Sequence, residues 1–213
     1  MTGTLEHELT PDERAVWETL DSPMQIQAFL DQVNYRGEET NRSVVRVLRE
    51  RQAHCLDGGV FAAAALRRLG HPPVIVDLLP EPGTDDDHVL AIYKSHGHYG
   101  ALAKSNFAGL RFREPVYRTM RELVMSYFEA YFNLEGQKTL RFYTRPLNLA
   151  TLDRLHWQTE DAGVDAIERL LPQLRRVALL TPEQAAGLVP VDPRSYQSGM
   201  TGTNLDGLYR PKA

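Results

Sequence analysis

The chain has 213 residues, 42% hydrophobic and 24% charged, with a formal net charge of −4 and a pI near 6.0. That length can bury a sizeable core in one globular unit, and the acidic balance argues against general nucleic-acid or anionic-membrane binding. No apolar run approaches the ~20 residues of a membrane helix, and the opening Met1 to His7 is neither basic nor apolar, so no secretory signal is expected. The single cysteine, Cys55, excludes an internal disulfide and suits a reducing cytoplasm.

Thr10-Pro11-Asp12-Glu13 has the form of a capping box with proline in the first turn, and predicts a helix to about Leu20. Ser22-Pro23 repeats the signal and starts a second helix through about Val33, with Ile26, Phe29, Leu30 and Val33 as its buried stripe. A third begins near Ser43 and delivers the chain to Cys55. An Ala-rich helix follows, ending at Gly70 before Pro72-Pro73. Val74–Leu79 is a buried strand, Pro80–Asp87 an aspartate-rich loop, and His88–Lys94 a second strand. Ser95–His98 forms a hairpin turn, and Tyr99–Ser105 a third strand. The apolar spacing over Val116–Phe132 predicts a long amphipathic helix. Leu140–Tyr143 is a short strand, Val164–Val177 a weaker helix interrupted at Pro172, and Thr181-Pro182-Glu183-Gln184 the start of a short last helix. From Pro190 onward the chain reads as a surface tail.

Cys55 carries the chemistry. A thiol at a helix N-terminus faces unpaired N–H groups and the positive end of the dipole, which favour the nucleophilic thiolate. Gly58-Gly59 admits a close approach of backbone or substrate. Of the seven histidines, His88 alone opens a strand behind a polar loop, which makes it the candidate base. His54 adjoins the cysteine, but neighbours at a helix start point in different directions. An imidazole base needs an orienting group. The end of the next hairpin arm supplies Asn106, with Ser105 as the alternative. Gln52 is a candidate second oxyanion donor beside the Cys55 N–H.

Cysteine at a helix start, histidine opening a strand and a polar residue ending the next strand resemble the transglutaminase-like superfamily, over about Arg49 to Asn106. The resemblance implies a papain-like α+β core: a Cys-bearing helix on a small antiparallel sheet, with extra N- and C-terminal helices. The core would span 1–150 and a helical extension with an irregular tail 151–213. It implies acyl transfer through a thioester, as hydrolase or transamidase, with Cys55 as nucleophile, His88 as base then acid, and Asn106 as orienting group. The family usually has Asp at the third position and an aromatic residue shortly before it, for which Tyr99 is the counterpart. A non-catalytic binding protein on the same fold is the alternative.

The expected partner is a peptide, amide or amine, with neither nucleic acid nor membrane. Asp87 and its neighbours would favour a cationic or amine group, while Arg111 and Arg113 would rim the cleft toward a carboxylate or phosphate. No cofactor fingerprint is present. One cysteine without a paired histidine motif does not make a metal site.

Overall fold

The computed structural model describes residues 3–37 and 40–210. Six helical or strand elements lead to the cysteine. They are α1 (Gly3–Glu8), α2 (Pro11–Glu18), α3 (Pro23–Gln32), β1 (Asn34–Tyr35), α4 (Val44–Glu50) and β2 (Gln52–Ala53). The Thr10 capping box forms, with Glu13 N donating to Thr10 Oγ1 and Thr10 N to a Glu13 oxygen. Ser22 caps α3 through the N–H of Gln25. Helix α5 (Cys55–Arg68) follows directly. It is capped by His54, whose Nδ1 accepts from Leu56 N, and by Asp57, whose carboxylate accepts from His54 N.

Beyond α5 come β3 (Val74–Pro80), β4 (His88–Ser95), β5 (His98–Leu102), β6 (Arg113–Tyr117), α6 (Met120–Met125), β7 (Leu140–Thr144), β8 (Leu147–Asn148), α7 (Asp161–Leu170), β9 (Arg176–Ala178), α8 (Pro182–Ala186) and α9 (Pro193–Gly199). The main sheet is antiparallel in the order β6-β5-β4-β3-β7-β9, with β8 also on β3. The β4–β5 hairpin turns through His96 and Gly97, both at positive φ (50° and 81°), as a two-residue turn of matching twist requires. The fold is α+β.

The sheet separates two apolar cores. Val89, Ala91, Tyr93 and Leu102 face α5 and pack with Trp17, Phe29, Phe61, Trp157 and Ile167. Val76, Leu78, Leu90 and Ile92 face the other way, toward Leu123, Val124, Tyr127 and Tyr131. Helix α5 lies at contact distance from β4 and from the segment that follows β5 because it carries glycine at both approaches. A Cβ on Gly58 would fall 2.2 Å from Lys104 Cβ, and one on Gly59 2.7 Å from Val89 Cγ1.

Two expected helices are differently built. The apolar residues of 116–132 are mostly buried, but Arg113–Tyr117 is an edge strand and only Met120–Met125 is α-helical. Pro115 lacks the N–H that a helix would use, Val116 and Tyr117 suit a strand, and Thr119 starts the helix by accepting from Glu122 N. The Val164–Val177 segment ends its helix at Leu170, and Arg176–Ala178 pairs with β7. Segment 151–213 thus places Trp157, Val164 and Ile167 in the first core and a strand on the sheet. Among the described residues no helix is long and apolar enough to cross a membrane.

Candidate functional site

Cys55 opens α5 and is 6% exposed, its thiol in the wall of a cavity of about 700 Å³. The thiol donates toward the backbone carbonyl of Asp87 (3.8 Å), and the N–H of Val89 points back at the sulfur. Burial, followed by the charges of Asp87 and Asp86, pushes the thiol well above its ordinary value. The expected resting thiolate is therefore corrected: the helix terminus is outweighed, and Cys55 is a protonated thiol in this arrangement.

His88 is not beside it. Successive residues of a strand point to opposite faces. His88 shares its face with Leu90 and Ile92, away from α5, and its Nε2 lies 2.7 Å from the carbonyl oxygen of Leu110. Burial there lowers its pKa to about 4, so it is neutral and structural. The side chain on the α5 side at this end of the strand is Asp87, which lines the Cys55 cavity. Asp77 of β3, whose register partner is Val89, faces the same way. Asp77 is buried, with one carboxylate oxygen lacking a hydrogen-bond partner among the described residues, and burial, followed by the charges of Asp87 and Asp86, pushes its carboxyl well above its ordinary value. Water reaches Asp87 from the cavity, yet the surrounding protein and then the charge of Asp86 raise its pKa to about 7. The loop is fixed in place: the Tyr131 hydroxyl donates to Asp86 O (2.6 Å) and Thr139 to the Asp85 carboxylate (2.7 Å).

Asn106 does not orient His88. Its Oδ1 accepts from Asn204 N (2.8 Å) and its Nδ2 donates to Asn204 O (2.9 Å). Ser105 Oγ accepts from Phe107 N and is absent from the walls of the Cys55 cavity. Gln52 is also outside them; its Oε1 accepts from Arg42. Tyr99 lies near the opposite end of β5, under the ammonium of Lys94. Arg111 pairs with Asp31 (3.1 Å) in a separate cavity, and Arg113 is spent on Ser126, Gly109 O and the ring of Tyr127. Of the expected residues, Cys55 and Asp87 share the large cavity, while Asp87, His88, Ser105 and Asn106 line a separate small one of about 40 Å³ that does not include Cys55.

The remaining wall includes Tyr35, Asn41, His54, Asp86, Glu168 and the segment Gly207–Arg210. Asp77, Tyr35 and that segment were missed. Asp77 had a signal, as the lone charge inside the aliphatic run Val74–Leu79. Among the described residues no group of three His, Cys, Asp or Glu is disposed to hold a metal ion.

Fold and site together define an α+β protein with a helix-borne cysteine whose cavity is lined by the loop carboxyls Asp86 and Asp87. No protein-family model and no curated protein matches the sequence. Among solved structures it is similar to LapG of Legionella pneumophila, at 14% identity over 47% of this chain and 68% of that one (TM-score 0.36). For EGTA-treated LapG the match is 12% identity over 76% and 94% (TM-score 0.43). Likeness at that level carries no argument about chemistry, which rests on the cavity.

Proposed function

We propose that the protein performs cysteine-dependent acyl transfer on an amide or peptide bond, with Cys55 as nucleophile and Asp87 in the proton-transfer role expected of His88. The observation that supports this is the Cys55 thiol at a helix start, in a ligand-sized cavity that it shares with Asp87. A carboxyl with a pKa near 7 can both take and return a proton at neutral pH. In the forward step, ionised Asp87 takes the thiol proton as sulfur bonds to the carbonyl carbon. The Cys55 N–H donates to the developing oxyanion. The C–N bond then breaks and the amine leaves with the proton from Asp87. Water or an acceptor amine attacks the thioester, gives its proton to Asp87, and the thiol is restored.

A second reading, a binding protein without catalysis, is favoured by the protonated resting thiol and by His88 facing away. The deciding experiment is turnover of a pool of peptidyl amides, read by mass spectrometry as new carboxyl termini or as incorporation of added methylamine. Cys55→Ala should abolish it, and Asp87→Asn should lower it by about 10²–10⁴-fold, the usual worth of a positioned acid–base. His88→Asn should retain it within about tenfold if that residue transfers no proton. Equal losses in folded Asp87 and His88 variants would return the base role to histidine, and absence of Cys55-dependent turnover would establish the binding reading.

A further inference from the structure

The C-terminal segment is held beside the cavity by its backbone and by two of its own polar side chains. Asn106 takes both the N–H and the C=O of Asn204, as a neighbouring strand would. Thr203 Oγ1 donates to Asn106 O (3.1 Å), and Asn204 Nδ2 to Tyr35 O (3.1 Å). Gly207 then lies flat on the Tyr35 ring: a Cβ there would fall 2.8 Å from Tyr35 Cδ1 and 3.4 Å from Asn106 Nδ2. Gly37 meets it from the other side, where a Cβ would stand 3.0 Å from Gly207 Cα. Leu208, Tyr209 and Arg210 continue along the wall of the Cys55 cavity, where a cationic residue accompanies Asp86, Asp87 and Glu168.

We propose that Asn204–Arg210 is a built-in occupant of a peptide track leading to Cys55, and that an extended peptide offering the same backbone groups displaces it. This rests on the acyl-transfer reading only for what the displacing peptide undergoes. The contacts suit a removable strap. None of residues 201–210 is buried, and Leu205 is 66% exposed. The segment is therefore held mainly by polar contacts, each modest in net worth and opposed by the entropy of ordering the chain. Recognition uses the backbone of residue 204 together with the Thr203 hydroxyl and the Asn204 side-chain amide, and at Gly207 the Tyr35 ring leaves no room for a side chain.

The test uses the full chain with Gly207→Leu, which evicts the strap by collision, beside a chain ending at residue 203. Fluorescein maleimide labelling of Cys55 at pH 8 is the readout, with thermal melting to confirm the fold. Both variants should label about 10–100-fold faster than the parent, as expected if the strap closes the site 90–99% of the time. A synthetic peptide of residues 200–213 should slow them again in a saturable way. Equal labelling of all three chains overturns the proposal, as does faster labelling that the peptide does not suppress. Peptide-suppressible labelling without any peptidyl-amide turnover would keep the strap and remove the acyl-transfer reading. Turnover that neither variant increases would do the reverse.

Discussion

At the residue scale, Cys55 shows how two local effects compete. A helix terminus is worth about 0.3–1 kcal/mol to a nearby charge, whereas burial beside two carboxylates moves the thiol the other way and wins. Lys104 poses the same contest, with burial again the larger effect. Burial lowers its pKa to about 8, with the Asp31 charge opposing, and its ammonium donates to the carbonyls of Leu30 and Val33 at the end of α3. Those carbonyls have no further helical turn to bond. Lys104→Met keeps the stem's volume and removes the donor, so stability should fall by about 1–3 kcal/mol. The urea midpoint should drop at unchanged slope; an unmoved midpoint would mean that water replaces the ammonium without loss.

At the element scale, the approach of α5 to the sheet decides where the thiol sits. Gly58→Ala improves helix propensity by up to about 1 kcal/mol. However, its Cβ would land 2.2 Å from that of Lys104, a backbone-proximal atom that cannot swing aside. The net effect should be a loss of about 1–3 kcal/mol, typical of an overpacked core. A variant as stable as the parent in urea would show that α5 can move away from the segment carrying Lys104. The helix starts at Thr10, Ser22 and Thr181 were legible because caps are local chemistry. The Arg113–Tyr117 strand was not: its pairing with β5 is a distant contact that overrides an apolar spacing readable as helix.

At the scale of the whole molecule, buried titratable groups set the pH response. Asp57, fully buried, and Asp87 have folded pKa values raised to about 7, mainly by enclosure, above an ordinary 3.8. The native state therefore binds more protons than the unfolded chain between those values. Their contribution is complete below pH 3.8 and lost as pH rises through 7. His88 runs the other way. Its folded pKa of about 4 lies below 6.5, so its contribution is complete above 6.5 and lost as pH falls toward 4. Burial also raises Asp77, Asp85 and Asp86, so the carboxyls outnumber His88 and the melting temperature should fall from pH 5 to pH 8. Asp87→Asn should flatten that fall, and His88→Asn should steepen the part below pH 6.5. A melting temperature that rises from pH 5 to 8 would show that these carboxyls ionise freely in the folded protein.

The sequence by itself determined the helix starts, the β4–β5 hairpin and the placing of Cys55 at the head of a helix. Caps, turn glycines and apolar runs act over a few residues, and no distant contact is needed to specify them. Only the tertiary structure decided which of Asp87 and His88 faces the thiol. Strand side chains alternate with a period of two, so a single step in register exchanges the faces. That step is set by how β4 packs against α5 and pairs with β3, at Asp77 opposite Val89. The path of the last residues was equally undetermined locally, since Asn106 and Asn204 meet across 98 positions of chain.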